Sequence, residues 1–303
     1  MGSKLIHPNA KAERGHHSVA LYRTSMFACG AWAGRWLPLS VTRALAGLAG
    51  RLYAFTHASR VARVRQNLQL LDASITGKTA RQLYGEFGKT LADYFYIGTR
   101  PPAEAVKLIR EKTGYHHFEQ LRGDGTGAVI VTGHLGLFEL GGLLTAHQGF
   151  SAAVLTLPEP SDSLTAWRAH FRRQWNVETI EVGSGSFAFI HIARRLREGC
   201  LVAALIDRPG SAESSPVIFP NGTSGFSSGI LLVAEQCRVP VIPAAMVRQP
   251  DGFYRAEAFP PIWIESRGSR AETLRFYSQQ IADRLMPTLC AHPEQWYQFG
   301  PLN

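Results

Sequence analysis

Hydrophobic residues in the first hundred positions recur at the three- and four-residue spacing of amphipathic helices. The pattern predicts two helical segments within residues 18–57, separated near Pro38. Residues 60–71 carry their apolar side chains on one helical face, and residues 79–97 repeat this pattern until a Pro-Pro pair ends it. The polar residues 1–17 are expected to form a flexible N-terminus. The first hundred residues therefore predict a helical region.

The pattern changes after residue 125, where short β-rich runs alternate with helical stretches. Such alternation is typical of an α/β sheet covered by helices. We expect a central, mostly parallel or mixed sheet flanked by helices over residues 101–303, forming one structural unit with the helical region of residues 18–100. The expected strands lie at 128–132, 152–157, 177–182, 201–206 and 239–247, and the expected helices at 138–147, 163–175, 187–198, 230–237 and 270–289.

The composition is that of a folded protein, with 45% hydrophobic and 18% charged residues. Four cysteines are scattered singly, which argues against a disulfide framework or a zinc ribbon and fits a reducing compartment. The histidine pairs at 16–17 and 116–117 have no other ligands close in sequence, and we interpret them as surface residues. We expect no metal site.

The net charge of +9 has a clear source near the N-terminus. No acidic residue occurs between Gly15 and Leu71, whereas seven arginines are interleaved there with tryptophan, leucine and phenylalanine. This mixture is typical of helices that lie in the interface of an anionic membrane. The alternative is a pair of soluble helices with a basic solvent face. A spanning helix is not predicted, because the longest charge-free run there has 11 residues and about 20 are needed.

The candidate chemistry lies in the run AVIVTGHLGLFELGG at 128–142, which contains a strand, a histidine between two glycines and an acid at the start of a helix. Functional groups collect at the carboxyl ends of strands in open α/β sheets. Gly133 and Gly136 let the backbone turn sharply beside His134. Glu139 is expected to accept a hydrogen bond from one ring nitrogen and leave the other as a base. The spacing alone is weak evidence for a catalytic pair, because about one His-x-x-x-x-acid pair is expected by chance in a chain of this composition.

This run resembles the H-x-x-x-x-E/D signature of the glycerolipid acyltransferase superfamily. More narrowly, it is similar to the branch that contains the late acyltransferases of lipid A and the mycobacterial phosphatidylinositol-mannoside acyltransferases. Further segments resemble family motifs in the same order, so that the resemblance spans roughly residues 35–300. They are RVARVRQNLQLL at 60–71, LIDRPG at 205–210, the blocks VIFPNG at 217–222, Gly229 and VPVIP at 239–243, and PEQWYQF at 293–299.

The resemblance implies transfer of a fatty acyl chain from acyl-carrier protein or acyl-coenzyme A to a hydroxyl of a lipid A-type glycolipid or a phospholipid, with no further cofactor. It implies His134 as the general base, supported by Glu139. The thioester oxyanion needs donors, for which Arg208 and backbone N–H groups at the Gly222–Gly229 helix start are candidates. The remaining candidate substrate-binding residues are Asp207, Arg172 and Arg173. The implied location is the cytoplasmic face of the bacterial inner membrane, with anionic lipids as partners.

The chain departs from the family pattern in three places. Apolar residues occupy the positions between His134 and Glu139 where polar or tryptophan residues are usual, namely Leu135, Leu137 and Phe138. Leu157 precedes Pro158 where an arginine is frequent, and Arg172 or Arg173 is the expected substitute. The N-terminal apolar segment is also more interrupted than in the family. The first two departures affect which acceptor lipid is expected, and the third affects how the N-terminus is expected to anchor to the membrane.

Two other classes of function match parts of the sequence. The run GFSSG at 225–229 fits G-x-S-x-G, and Asp251 or Asp283 followed by His292 completes the chain order of an α/β-hydrolase triad with Ser227 as nucleophile. The residues before Ser227 predict a poor strand, which disfavours such a serine esterase or lipase. The other class is a non-catalytic membrane-binding or nucleic-acid-binding protein. No nucleic-acid partner is expected, because the arginines match no nucleic-acid motif.

Overall fold

A computed structural model describes residues 24–157, 162–182, 187–208 and 213–302, and the N-terminus predicted to be flexible lies outside them. The first helices of this part of the chain form the N-terminal region, and the later ones cover a sheet. The helices are α1 (Thr24–Trp36), α2 (Leu39–Thr56), α3 (Ala58–Leu68), α4 (Gly77–Gly98), α5 (Pro102–Ala105), α6 (His116–Asp124), α7 (Phe138–His147), α8 (Asp162–Arg173), α9 (Phe187–Arg197), α10 (Gly229–Cys237) and α11 (Arg270–Ala291).

The strands form one seven-stranded sheet and a separate two-stranded hairpin. They are β1 (Ile109–Thr113), β2 (Ala128–Thr132), β3 (Ala152–Thr156), β4 (Val177–Glu181), β5 (Leu201–Leu205), β6 (Ser214–Phe219), β7 (Gly222–Ser227), β8 (Val241–Arg248) and β9 (Tyr254–Ala258). The order of the large sheet is β1-β9-β8-β2-β5-β3-β4, and its central strands are parallel. Only the β8–β9 pairing in it is antiparallel. The predicted fold class, a mostly parallel sheet flanked by helices, is confirmed.

The strands and helices predicted for residues 125–303 are present, with ends within two residues of the predicted positions. The pattern missed β1, β6, β7, β9, α5 and α6. The prediction that the residues before Ser227 make a poor strand was wrong, because they form β7. This strand pairs with β6 along its whole length, from Ser214↔Ser227 to Phe219↔Gly222. Pairing in the hairpin supplies the backbone hydrogen bonds, so that β structure forms despite the low local propensity of GTSGFS.

Helices α2 and α4 cross with glycine on both sides of the contact. A Cβ atom at Gly50 would lie 2.1 Å from Tyr84 O, and one at Gly88 would lie 2.1 Å from Ala46 O. Any side chain at these positions would force the two helix backbones apart. The glycines therefore decide which face of α2 is buried against α4.

The outward face of α2 is apolar and open to solvent. Its residues follow the spacing of one helical stripe, with relative exposures between 43% and 70% for Val41, Leu45, Leu48, Leu52 and Phe55. Trp32 and Trp36 of α1 are also exposed. In the described ranges, no helix combines the length and the apolar character needed to cross a bilayer.

The helical region and the sheet share a hydrophobic core. Val64 and Leu68 of α3 and Leu83 of α4 are fully buried in the same cluster as Val129 of β2 and Val202 of β5. Burial of this apolar surface fixes α3 and α4 on the sheet. As a result, polar groups of α3 lie within reach of the edge of the sheet where the site is built.

Candidate active site

His134 and Asp207 follow two neighbouring strands of the large sheet. Strand β2 ends at Thr132 and β5 ends at Leu205, and these two residues are partners in the parallel register. His134 and Asp207 each lie two residues beyond these ends. Because parallel strands present their carboxyl ends at one edge, the pairing brings the two side chains together.

The carboxylate of Asp207 contacts His134 twice. Oδ1 lies 2.6 Å from the ring Nδ1, and Oδ2 accepts a hydrogen bond from the backbone N–H of His134 at 2.7 Å. An ionised carboxylate only accepts hydrogen bonds, so Nδ1 carries the proton, and in the neutral ring Nε2 carries the lone pair. The His134 side chain is 18% exposed, whereas that of Asp207 is 1% exposed. The arrangement is a solvent-reachable imidazole oriented by a buried carboxylate.

The surroundings of Asp207 favour its ionised form. Burial raises the pKa of this carboxyl group, but the His134 ring, its hydrogen bonds and the Arg208 guanidinium lower it more, so the pKa lies below the usual 3.8. Asp207 is therefore a carboxylate at neutral pH. This charge supports an imidazolium when the ring gains a proton.

The two glycines beside His134 are required by close approaches. A Cβ atom at Gly133 would lie 2.8 Å from Asp207 Oδ2. Gly136 has φ +54°, and a Cβ atom there would lie 2.0 Å from Met246 O. Gly133 thus makes room for the carboxylate, and Gly136 allows the turn that leads into α7.

The structure contradicts the predicted contact between Glu139 and the His134 ring. Glu139 forms an ion pair with Arg172 of α8, with 2.5 Å between Nε and Oε1 and 3.3 Å between Nη2 and Oε2. Neither side chain is more than 10% exposed. A buried guanidinium without a counter-charge is costly, so this pairing determines where Glu139 points. Arg172, predicted to bind substrate, is engaged here with Glu139.

Arg208 lies beside the site. Its guanidinium donates from Nε to Gln298 Oε1 at 3.2 Å and from Nη2 to Tyr297 O at 3.1 Å. The residue is exposed and immediately follows Asp207. A cation held in this orientation is suited to an anionic or polarised group of a substrate, and its role in binding stays a prediction.

Gly229 and Arg173 are placed differently. Gly229 begins α10, and the strand before it reaches the end of β5, since Ser227 N donates to Ile206 O at 2.7 Å. A Cβ atom at Gly229 would have its nearest neighbour at 3.6 Å, so steric approach does not require glycine. Arg173 is exposed at the end of α8. Substrate contacts of both residues stay predictions.

Sequence reasoning missed two polar contacts of Asp207. Trp296 Nε1 donates to Oδ2 at 2.8 Å, and Gln298 Nε2 donates to the same oxygen at 2.5 Å. Both residues belong to the segment that resembled the P-x-x-W motif of the family, but the motif was given no role in the site. The resemblance was the signal that identified the segment, and only the fold shows its contact with the carboxylate.

An apolar slot lies between the sheet and α7, next to the histidine. Phe138, whose ring centroid is 5.6 Å from that of His134, lines one part of the slot. Small residues line the sheet side, namely Ala203, Ala244, Ala245, Ala256 and Ala258, and Gly141 and Gly142 line the helix side. Phe118 also lines it, and this residue packs with Ala128 at the first position of β2. The slot therefore extends from the edge of the sheet that carries His134 toward the amino ends of the strands.

The side chains required for serine or metal chemistry are not assembled in the described part of the chain. An α/β-hydrolase nucleophile follows a strand of the central sheet, whereas Ser227 ends a strand of the separate hairpin. Asp251 pairs with Arg110 at 2.6 Å, and Asp283 accepts from Gln279 at 2.8 Å. Within the described ranges, no three His, Cys, Asp or Glu residues are grouped as metal ligands.

Comparison with known proteins identifies a family for this chain. The sequence model of the family described as bacterial lipid A biosynthesis acyltransferase matches residues 11–302. No individual curated protein matches the chain. The family match covers nearly the whole chain and includes both strand ends that carry His134 and Asp207. The chain therefore belongs to the bacterial lipid A biosynthesis acyltransferase family, and it is an acyltransferase.

Proposed function

We propose that the protein moves a fatty acyl chain from a thioester of acyl-carrier protein or coenzyme A to a hydroxyl of a lipid A-type glycolipid or a phospholipid. His134 is the general base in this proposal, and Asp207 orients it. The observation that carries the proposal is the contact of the two side chains at the carboxyl edge of the sheet, beside an apolar slot. The family match supplies the reaction class.

The reaction proceeds by direct transfer. As the acceptor oxygen attacks the thioester carbon, Nε2 of His134 takes the hydroxyl proton, and the Asp207 carboxylate stabilises the imidazolium that forms. The tetrahedral intermediate collapses with cleavage of the C–S bond, and the imidazolium returns its proton to the departing thiolate. The products are an ester and a free thiol. No covalent enzyme intermediate is required, because the thioester is already activated.

The oxyanion of the intermediate needs a donor at the same edge of the sheet. Arg208 is our first candidate, because its guanidinium is held beside Asp207 by Gln298 and Tyr297. The backbone N–H groups at the start of α10, near Gly229, are the second candidate. Glu139 and Arg172 act at a distance from the reacting atoms in this proposal, since their ion pair joins the first turn of α7 to α8.

The apolar slot accommodates the acyl chain of the donor. It starts beside the His134–Phe138 contact and is lined by alanine, glycine and aromatic residues, which offer an apolar surface to a hydrocarbon chain. A chain placed there keeps its thioester next to the base. Phe118 lines the slot near the amino ends of the strands, and in this proposal the extent of the slot sets the chain length that fits.

The exposed apolar stripe of α2 is the proposed contact with the cytoplasmic face of the inner membrane. Five large apolar side chains on one face of a soluble helix are unusual unless the face is covered. The nearby arginines include Arg35 and Arg51, which are exposed, and no acid lies between Gly15 and Leu71. Anionic lipids therefore match the charge of this surface, and the bilayer interior matches its apolar stripe.

The test of this function is acyl transfer by the purified full-length chain. Radiolabelled acyl-carrier protein and acyl-coenzyme A thioesters are offered in parallel, with lipids extracted from a bacterial membrane as acceptors. We expect one donor class to yield a labelled lipid whose acyl group is released by mild alkali, as for an ester. Mass spectrometry of membrane lipids with and without the gene identifies the acceptor. Formation of an alkali-stable amide, or labelling unaffected by His134→Ala, would contradict the proposal.

A further inference from the structure

The segment 295–298 near the C-terminus crosses the active site and touches both members of the pair. Tyr297 N donates to His134 O at 2.8 Å, and Trp296 forms an isolated β-bridge with Leu135. Gln298 Nε2 donates to the backbone oxygen of Asp207 at 3.1 Å in addition to its carboxylate. Trp296 and Gln298 are at most 1% exposed. Their polar groups therefore act without competition from water.

The donors that reach Asp207 divide unequally between its two oxygens. Oδ2 accepts from the backbone N–H of His134, from Trp296 Nε1 and from Gln298 Nε2. Oδ1 is hydrogen-bonded to the ring Nδ1 of His134. Three donors at Oδ2 fix the rotation of the carboxylate, so that Oδ1 faces the ring. They also stabilise the anion, because each hydrogen bond favours the charged form of its acceptor.

We propose that Trp296 and Gln298 are positioning residues that restrain the basicity of the Asp207 carboxylate and thereby limit how strongly it draws a proton onto the His134 ring. A bare carboxylate would attract a proton onto the ring more strongly, and a protonated ring cannot accept the hydroxyl proton. The two donors weaken that attraction and preserve the orientation of the ring. The catalytic meaning of this inference rests on the proposed function, but the effect on the ring does not.

The two donors are themselves held in place. Gln298 presents its oxygen to Arg208 Nε at 3.2 Å, which fixes the amide so that its nitrogen faces Asp207. Asn67 of α3 donates to the backbone oxygens of Gln298 at 2.9 Å and of Gly300 at 2.6 Å. The Trp296 ring stacks on Phe219, with centroids 5.7 Å apart. Helix α3, the hairpin and the C-terminal segment therefore act together on one carboxylate.

The charged groups around the pair are few in the described part of the chain. Arg208, next to Asp207, contributes a positive charge that lowers its pKa. Glu139 and Arg172 lie between α7 and α8 and neutralise each other. From the C-terminal segment only neutral donors face Asp207, so a substitution there changes hydrogen bonding and leaves the number of charges unchanged.

The experiment follows the ring titration of His134 by NMR in the full-length protein with ¹⁵N-labelled histidine. The signal is assigned by its loss in His134→Gln. In Gln298→Met and in Trp296→Phe, we expect the midpoint to move to higher pH by about half to one pH unit, because one donor to the anion is gone. The acid limb of kcat/KM should move in the same direction, so that activity lost at neutral pH is partly regained at higher pH.

The matched control is Gln295→Met. Gln295 is also buried, but its side chain binds the backbone of Arg248, through Nε2 and Oε1 at 2.8 and 2.9 Å, and not Asp207. We expect this variant to lose stability and to keep the His134 midpoint of the wild type. A third arm replaces tryptophan by 5-fluorotryptophan, a stronger N–H donor of nearly the same shape, which should move the midpoint to lower pH without unfolding the protein.

The outcomes separate this inference from the proposed function. Unchanged midpoints in folded Gln298→Met and Trp296→Phe, or an equal shift in Gln295→Met, would overturn the positioning role. If both variants fail to fold, the fluorotryptophan protein decides, and an unchanged or raised midpoint rejects the inference. Full acyl transfer by His134→Ala would reject the proposed function instead, and the NMR midpoints would still report on Asp207.

Discussion

Glu139 and Arg172 form a buried bidentate ion pair that joins the first turn of α7 to the last turn of α8. Removing one partner leaves the other charged and buried, so we expect Glu139→Ala to lower the free energy of unfolding by about 3–5 kcal/mol. The double variant Glu139→Met/Arg172→Met should lose less than the sum of the single variants. Chemical denaturation measures both. The exposed pair Arg270–Glu213 is the control, and Arg270→Ala should cost at most about 1 kcal/mol.

Equal losses from the buried and the exposed pair, or strict additivity in the double variant, would contradict this account. The first result would mean that solvent screens Glu139 and Arg172 as it screens surface charges. The second would mean that the two side chains do not interact energetically.

The contact between Asp207 and His134 predicts a ranking of acyl-transfer rates. His134→Ala should lower turnover by about 10²-fold or more, because the base at the strand end is removed. Asp207→Asn should be similarly severe, since the charge that supports the imidazolium is lost. Glu139→Gln should retain more activity than Asp207→Asn, because Glu139 touches Arg172 instead of the ring. Circular dichroism confirms folding. A greater loss of activity in Glu139→Gln than in Asp207→Asn would contradict the assignment of Asp207 as the acid that supports His134.

The apolar slot predicts a change in acyl-chain preference. Ala244→Leu adds three carbon atoms to the sheet side of the slot, so long chains should lose more activity than short ones. Transfer rates with donors of increasing chain length measure the effect, and the ratio of short-chain to long-chain rates removes any general damage to the enzyme. Ala291→Leu, at an exposed position at the end of α11, is the control. An unchanged ratio in folded Ala244→Leu would exclude the slot as the acyl site.

The stripe on α2 predicts how the protein binds vesicles. Replacing Leu45, Leu48 and Leu52 by Asn should abolish flotation with anionic vesicles, because apolar area that enters the acyl boundary is lost. Arg35→Glu with Arg51→Glu should weaken binding to anionic vesicles and reduce its dependence on salt. Arg43 is unsuitable for this test, since it donates to the buried Asp93 at 2.5 Å.

Ile218→Asn is the control for the apolar substitutions, because Ile218 is as exposed as the leucines but lies on the hairpin. It should leave flotation unchanged. Equal binding of the wild type to neutral and anionic vesicles would contradict the electrostatic part, and full binding by the triple leucine variant would contradict the surface itself.

The crossing of α2 and α4 predicts opposite effects of the same substitution at two glycines. Gly88→Ala should lower the melting temperature strongly, because its Cβ atom would lie 2.1 Å from the backbone oxygen of Ala46. Gly123→Ala in α6 should be neutral or stabilise by up to about 1 kcal/mol, since nothing beyond its chain neighbours and its own helix backbone would lie within 4 Å of the new Cβ and alanine favours helices. Thermal unfolding measures both. Similar melting temperatures for the two variants would argue against the close crossing.

Much of the fold follows from the sequence because its signals are local. The spacing of apolar residues along α2, α7 and α11 is that of helices, and the run at 128–132 is a buried strand, so each element is specified by neighbours within a few residues. The strands that were missed lack such a signal. Strand β1 reads IREKT and is exposed beyond its first residue, and β7 reads GTSGFS. Pairing with β9 and with β6 makes them strands.

The candidate site likewise has a part that the sequence predicts and a part that depends on the tertiary structure. The sequence by itself identified His134, its flanking glycines and the acids at 139 and 207, because residue type and proximity to a predicted strand end can be read directly from the sequence. Only the tertiary structure decided which acid serves the ring. Asp207 is 73 residues away from His134, yet it is adjacent because β2 and β5 are neighbours in the sheet, while Arg172 engages Glu139.

Trp296 and Gln298 reach the Asp207 carboxylate from 89 and 91 residues further along the chain. Hydrogen bonds act over about 3 Å, so their partners are set by strand order and by the packing of the C-terminal segment, neither of which is encoded in local spacing.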